Sequence, residues 1–180
     1  HVVRLAGEAL DSTRRRVQQA IHGHRGRSGD PLYGARRTLH TGAALLTSRQ
    51  TARLDALFAD DNHVEVEATY GVYQQMITAY REPDPAKGRA VMARLIRSVS
   101  SGVPAALKEV ITLGRTLKKR AADILAYFDY PRTSNGPTEA INGRLEHLRG
   151  SALGFRNLTN YVARSLLETG GFRPALHPGL

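Results

Sequence analysis

Residues 134–157 read SNGPTEAINGRLEHLRGSALGFRN, and this stretch decides how the rest of the chain is interpreted. Ser134, Asn135 and Gly136 are residue types that can cap a helix, and Pro137 suits a first helical turn because its backbone nitrogen has no hydrogen to donate. The pattern therefore predicts a helix that begins at Pro137 and carries Glu139 in its first turn.

The predicted helix has an apolar side and a polar side. At about 100° per residue, the apolar residues gather on one side, namely Ile141, Leu145 and Leu148. The opposite side holds polar or small residues, namely Glu139, Asn142, Gly143 and Glu146. A second helix through Tyr161, Val162, Leu166 and Leu167 is predicted to follow the turn at Gly154–Asn157. The first helix thus offers carboxylates on the side that it does not bury.

Glu139 has two interpretations on chemical grounds. A glutamate three residues after a cap closes a capping box and interacts favourably with the positive end of the helix dipole. A carboxylate at the start of a helix is also a ligand of the kind that magnesium prefers. Residue chemistry alone leaves both roles open.

Composition favours a polyanionic partner. The chain of 180 residues holds 26 Lys and Arg against 16 Asp and Glu, a net charge of +10 with an isoelectric point near 10.5. Such a balance indicates nucleic acid. No apolar run approaches the ~18 residues of a membrane span, so a membrane role is not expected. The absence of cysteine excludes disulfides and thiolate metal sites. The first residue is not methionine, and we expect a piece of a longer, cytoplasmic protein.

The remaining chain is predicted to be mainly helical. Apolar residues recur at helical spacing in segments bounded by cap, glycine or proline signals. The segments are Val2–Ile21, Arg49–Ala59 with Ser48 as its cap, residues 63–81, a helix through 90–99, and a long helix through 107–128 that bends at Gly114. One weak strand is predicted at Arg36–Leu46.

Several side-chain groups have alternative interpretations. The basic clusters Arg14–Arg16 and Lys118–Arg120 are either solvated faces or phosphate contacts. His22 and His24 form a His-x-His pair, but without further spaced ligands a solvated loop is favoured over a metal site. The apolar and aromatic stripe at residues 66–80 is interpreted as core.

One motif of the chain resembles the C-terminal end of the catalytic domain of DDE insertion-sequence transposases, in the ISL-three branch. The motif is Thr138-Glu139-x-x-Asn142-Gly143-Arg144, preceded by Ser134-Asn135 and followed by Gly154-Phe155-Arg156-Asn157. The resemblance implies that Glu139 is the third metal-binding acid, on a helix of an RNase H-like fold. The chain start at His1 resembles the segment that follows the second catalytic aspartate. Both aspartates are therefore expected upstream of His1.

The resemblance also implies a domain organisation. It indicates the C-terminal fragment of an α/β RNase H-like domain that carries an all-helical insertion. The expected parts are an RNase H-like segment at 1–46, the helical insertion at 47–130, C-terminal helices at 131–170 and a tail at 171–180. Because the insertion has apolar stripes of its own, we expect it to form a separate core, with Val2–Ile21 packed near the Pro137 helix.

The implied function is cleavage of element ends and strand transfer to target DNA, with magnesium as cofactor. Glu139 would be the catalytic and metal-binding residue, supported by Asn142 and Asn135. The expected DNA contacts are Arg144, Arg149, Arg156, Lys118, Lys119 and Arg120. DNA is the expected partner, and the resemblance also allows further copies of the chain in an oligomeric complex. With one acid of three, the chain alone is not expected to cut DNA.

Two other classes of function stay open. A non-catalytic helical DNA-binding module, or a transposase remnant, would fit the basic charge, although a recognition helix would be expected to show basic or amide groups rather than Glu139 and Glu146. A partner-binding fragment rests only on the aromatic residues between Tyr70 and Tyr80. An Asp-x-Phe immediately upstream of His1 would favour the enzyme.

Overall fold

The computed structural model describes residues 2–24, 26–130, 136–151 and 157–169. Its α-helices are α1 (Val2–His22), α2 (Pro31–Ala35), α3 (Ser48–Phe58), α4 (Val64–Arg81), α5 (Pro85–Ser100), α6 (Lys108–Lys119), α7 (Ala121–Asp129), α8 (Gly136–Ser151) and α9 (Leu158–Thr169). Short 3-10 turns lie at Thr38–His40, Ala43–Leu45 and Asp61–His63. The described ranges contain no β-strand. The chain is mainly helical, which confirms the predicted fold class.

The chain divides into two compact units, His1–Pro131 and Arg132–Leu180. The division lies one residue after the predicted boundary between residues 130 and 131. The predicted packing of α1 near α8 would join the two units and stays a prediction. No helix in the described part of the chain combines the length and the apolar character that a membrane span requires.

The first unit has one core to which α1, α4, α5, α6 and α7 all contribute. Helix α1 packs on α4 and α6, while α5 packs on α4, α6 and α7. The centre is built from side chains that are almost fully buried, among them Leu10, Met76, Met92, Leu95 and Leu117. Burial of each such side chain contributes roughly 1.5–3 kcal/mol.

This shared core differs from the separate core expected for residues 47–130. Apolar periodicity shows how wide the buried face of a helix is, but it does not identify the helix that covers that face. Here the apolar face of α1 is covered by α4 and α6, which both lie inside the predicted insertion. Whether residues 47–130 interrupt an RNase H-like domain stays a prediction.

The predicted strand at Arg36–Leu46 is wrong. The segment continues from α2 through two 3-10 turns, with Leu39 buried. Two side chains of α4 satisfy its backbone in place of a neighbouring strand. The Tyr73 hydroxyl donates to the His40 carbonyl at 3.1 Å, and the Gln74 amide donates to the Thr41 carbonyl at 2.9 Å while accepting from the Ala43 N–H at 2.8 Å.

The predicted helix through 107–128 is two helices. The break lies at Arg120, whose φ of −106° and ψ of 16° are not helical, and Gly114 stays inside α6. Likewise, the cap of α3 is Thr47 rather than Ser48. Thr47 and Gln50 form a complete capping box, in which the Gln50 side chain accepts from the Thr47 N–H at 2.9 Å.

The aromatic stripe of α4 is core, as predicted. Tyr73 and Met76 are buried, and Tyr70 packs against Phe58 with ring centroids 5.4 Å apart. Tyr80 stacks on Phe128 of α7 at 5.4 Å. The stripe is therefore occupied within the first unit, which removes the basis for a partner-binding role.

The second unit contains α8 and α9, which pack against each other. Helix α8 starts one residue before the predicted Pro137 and ends two residues after Arg149. The predicted caps Ser134 and Asn135 and the turn residues Gly154–Arg156 lie outside the described residues, as does the predicted tail at 171–180.

Candidate functional site

Helix α8 presents its polar side to solvent. Glu139 lies in the first turn of α8, and both Glu139 and Asn142, one turn further on, are exposed. On the other side Leu145 and Leu148 are half-buried. Ile141 is 42% exposed, so the apolar side is covered less completely than its composition predicts. The helix thus places a carboxylate and an amide side by side on an accessible surface.

The start of α8 bears on the capping-box interpretation of Glu139. Counting from Gly136 as the first helical residue, Thr138 is the third and Glu139 is the fourth. A capping box takes its acid or amide from the third position, which Gln50 occupies in α3. The capping residues of α8 lie outside the described residues, so the capping-box interpretation stays a prediction, and Glu139 is close to the positive end of the helix dipole.

Glu139 and Glu146 differ in their neighbours. Within the described ranges, Glu139 forms no ion pair. The Glu146 carboxylate lies 3.0 Å from the Arg149 guanidinium, and both side chains are more than 60% exposed. Of the two carboxylates on this side of α8, Glu146 is thus paired within the described ranges and Glu139 is not.

The oxygen atoms of Glu139 and Asn142 suit a hard cation such as magnesium. Within the described residues, no group of three or more His, Asp or Glu side chains is placed to hold a metal ion. The described chain therefore supplies one carboxylate and one neighbouring amide, which fit a part of a magnesium site. His22 and His24 stack with centroids 5.7 Å apart.

The three predicted DNA-contacting arginines of the second unit differ in their surroundings. Arg144 is exposed. Arg149 is engaged by Glu146, but an exposed pair of this kind contributes little and can open. Arg156, like the supporting residue Asn135, lies outside the described residues. Arg144 is thus the described arginine of α8 that is most available to a phosphate.

The predicted cluster at Lys118–Arg120 belongs to the first unit. Lys118 and Lys119 are exposed at the end of α6. The Arg120 guanidinium instead lies 2.6 Å from the Asp123 carboxylate in the first turn of α7. The cluster is therefore divided between two free ammonium groups and one paired guanidinium in the described structure.

Of the three arginines at 14–16, only Arg15 lies on a solvated face, whereas Arg14 is buried and Arg16 is half-buried. Arg14 is 6% exposed and donates twice to Asp11, at 2.7 and 3.0 Å, and once to Gln18 at 3.0 Å. Arg15 also pairs with Asp11, at 2.7 Å. Asp11 thus offsets one of these two charges, and Arg15 stays exposed, so of the two only the buried Arg14 is withdrawn from phosphate.

Arg16 joins three helices, a role that periodicity did not reveal. Its guanidinium donates to Glu109 of α6 at 2.8 and 2.9 Å and to Glu65 of α4 at 2.5 Å. The hydrogen bonds from Arg16 hold the pKa of Glu109 below its ordinary range, against the opposing effect of burial. The partners are 49 and 93 residues away in sequence, so no local pattern identifies them.

Comparison with known proteins gives one match. A family model, DDE_Tnp_ISL3, described as a transposase, matches residues 1–165. The matched range includes the first unit, α8 and the stretch that carries the sequence resemblance. No match was found among curated proteins or among solved structures.

Proposed function

The chain belongs to the DDE transposase family, in its ISL-three branch, and from this premise we propose that Glu139 is one of the carboxylates of the DNA cleavage site. One observation supports the proposal above others. Glu139 is exposed in the first turn of α8, beside Asn142, and is engaged in no ion pair within the described ranges. At that position the carboxylate is accessible to a cation from solvent, and it lies in the motif that resembles the family's third metal-binding acid.

Glu139 would hold a magnesium ion together with acids from elsewhere in the transposase. Magnesium, when bound, stabilises the negative charge that develops on the phosphate oxygens during displacement. Asn142 lies one turn further along the exposed side of α8, where its amide can orient the Glu139 carboxylate or a water molecule. The resemblance aligns the two catalytic aspartates before His1, and we propose that they complete the site.

DNA is the proposed substrate, and Arg144 is the proposed phosphate contact beside Glu139. A guanidinium gives a bidentate contact to a phosphate, which fixes the position of the strand without reading its sequence. The chain by itself is expected to bind DNA weakly, with strong salt dependence, and not to cut it. Binding follows from the net charge of +10, whereas cutting needs all the acids.

A non-catalytic DNA-binding module is the alternative. It shares the net charge but gives no role to the exposed carboxylate of Glu139. Moreover, Glu139 and Glu146 lie on the exposed side of α8, where a recognition helix would be expected to show basic or amide groups. The cleavage site is therefore the better supported proposal.

The test compares Glu139→Gln with Glu146→Gln in the transposase whose sequence includes this chain and both aspartates. Each change removes one negative charge from the same side of α8. Glu139→Gln is expected to reduce magnesium-dependent cleavage of an element-end duplex by at least about 100-fold. Duplex affinity and circular dichroism should stay unchanged.

Glu146→Gln is expected to keep cleavage within about threefold of the parent protein, because its partner Arg149 is itself exposed. Near-parental cleavage by Glu139→Gln would reject the catalytic role. An equal loss in both variants would show that the charge of α8 matters rather than a specific ligand.

A further inference from the structure

We propose that α5 and α6 form a surface that binds the backbone of duplex DNA, independently of the carboxylate site on α8. We call this surface the α5–α6 face, and it is formed by Arg94, Arg97, Lys108, Arg115, Lys118 and Lys119. The proposal rests on the proposed function in taking DNA as the partner. It adds a second contact region, on the first unit.

Positive charge is concentrated in the part of the chain that contains α5 and α6. Residues 85–120 hold one acid, Glu109, and nine basic residues, which are Lys87, Arg89, Arg94, Arg97, Lys108, Arg115, Lys118, Lys119 and Arg120. The segment therefore carries most of the net charge of +10. All four lysines of the chain lie within it.

Most of the α5–α6 face is not neutralised by nearby carboxylates, the exception being Lys108, which lines a groove together with Glu8 and Glu109. Glu109 is turned towards Arg16 of α1. Three acids outside the segment pair with the other three cations, in the pairs Asp84 with Lys87, Asp129 with Arg89 and Asp123 with Arg120. The six residues of the α5–α6 face form no ion pair in the described part of the chain, and all six are exposed.

Helix packing keeps these cations on neighbouring outer surfaces. Helices α5 and α6 pack directly on each other, and Gly114 lies so close to the Val99 carbonyl that a Cβ would overlap it. The buried sides consist of apolar residues, Met92, Leu95, Ile96 and Val99 on α5 and Val110, Leu113 and Leu117 on α6.

Helical spacing then aligns the cations in two rows. Arg94 and Arg97 are three residues apart on α5, and Arg115 and Lys118 are three residues apart on α6, so each pair lies on one side of its helix. Cations without a described ion pair, on two helices that pack on each other, supply several positive charges for the phosphates of a nucleic-acid backbone.

The chemistry of the α5–α6 face favours duplex DNA over other polyanions. Residues 85–120 contain no Phe, Tyr or Trp, so the face has no ring on which an unpaired base would stack. None of the exposed large apolar side chains lies in this segment. A membrane-inserting or protein-docking surface would present such side chains. The remaining partner is one that is bound through its phosphates without recognition of its bases. A DNA duplex presents phosphates at the highest density.

The test measures fluorescence anisotropy of a labelled duplex with the 180-residue chain, from low to physiological salt. The variant Arg115→Gln/Lys118→Gln removes two cations of the α5–α6 face. The matched control, Arg49→Gln/Arg53→Gln, removes two exposed cations of α3 that also lack an ion pair in the described structure. Net charge falls by the same amount in both.

The variant Arg115→Gln/Lys118→Gln, called the α6 variant, is expected to lose at least about tenfold in duplex affinity at low salt. The slope of log affinity against log salt should fall by about 2, because each lost phosphate contact removes nearly one unit. The control Arg49→Gln/Arg53→Gln, called the α3 control, should lose less than about threefold in duplex affinity and keep the salt slope of the parent chain. The charge-preserving variant Arg115→Lys/Lys118→Arg should bind like the parent chain, which separates charge from any effect on folding.

A second measurement uses the unmodified chain. Duplex DNA should protect Lys118 and Lys119 from amine acylation, as measured by mass spectrometry, more strongly than Lys87, whose ammonium lies 3.9 Å from Asp84. Equal protection of all lysines, or a tighter complex with single-stranded DNA, would overturn the proposal.

The outcomes separate the two proposals. If the chain binds duplex DNA but the α6 variant and the α3 control lose affinity equally, the proposal for the α5–α6 face is wrong and the proposal for the Glu139 site is unaffected. If the chain binds no duplex even at low salt, the α5–α6 face is overturned and the proposed DNA partner of this chain falls with it. If the Glu139→Gln transposase cuts DNA normally, only the carboxylate site fails.

Discussion

Three glutamates of the chain show how neighbours decide the role of a carboxylate. Glu109 is held by Arg16 in two hydrogen bonds and is partly buried, so it stabilises the first unit. Glu146 is exposed and paired with Arg149 one turn away. Glu139 is exposed without an ion pair in the described structure, which suits a residue that binds something outside the chain. Sequence chemistry alone could not separate the three, because their partners depend on the fold.

Glu109→Gln is expected to lower the free energy of unfolding of the chain by about 1–3 kcal/mol at pH 7, because Arg16 loses two charge-assisted hydrogen bonds. Urea unfolding measures the change. Glu8→Gln is the control, since Glu8 forms only an exposed pair with Arg4 at 3.4 Å and should change stability by less than about 0.5 kcal/mol.

The same variant should alter the pH dependence of stability. The bonds from Arg16 lower the pKa of Glu109 in the folded chain below its ordinary value of 4.5. The unfolded chain therefore takes up the proton first, and the stabilisation is present above that value and lost as pH falls through the folded pKa. The difference between the parent chain and Glu109→Gln should shrink below about pH 4.5. A difference that stays constant down to pH 3 would contradict this assignment.

Helices and their apolar faces could be predicted because both depend on local spacing and caps. Helix α1 and the core stripe of α4 are therefore found where the sequence places them. The segment at 36–46 was mistaken for a strand because its backbone groups are satisfied by Tyr73 and Gln74, which are more than 30 residues away. The break at Arg120 was missed for a similar reason. Gly114, which the sequence suggested as a bend, instead lets α6 pack closely on α5.

Gly114→Ala is expected to lower the free energy of unfolding by about 1–3 kcal/mol, because the added methyl group would overlap the backbone carbonyl of Val99 and force α5 and α6 apart. The control is Gly71→Ala in α4, where a Cβ meets nothing within 4 Å. Alanine there should raise stability by up to about 1 kcal/mol through its better helix propensity. Thermal or urea unfolding that ranks the two variants in the opposite order would reject the packing of α5 on α6.

At the scale of the whole molecule, the transposase family match covers the first compact unit and residues 132–165 of the second. The first unit has its own core and carries the α5–α6 face, whereas the second carries Glu139 and, where burial is described, has no fully buried side chain. The proposed division of labour gives DNA backbone contacts to the first unit and a metal-binding carboxylate to the second. Glu139 is singled out by sequence alone because it lies in the motif Thr138–Arg144, and its role as a site residue stays a prediction. The α5–α6 face required the ion pairs of the folded chain.

The most direct test of the central claim is metal-specific rescue of Glu139→Cys, measured as strand cleavage of an element-end duplex by the transposase that includes this chain. A thiolate is a poor ligand for magnesium and a better one for the softer manganese ion. If Glu139 binds the metal, Glu139→Cys should be nearly inactive with magnesium and regain at least about tenfold with manganese. Glu139→Gln should stay inactive with both metals, and Glu146→Cys should cut normally with either. Cleavage by Glu139→Cys at the parental rate with magnesium, or an equally low rate with both metals, would contradict the claim.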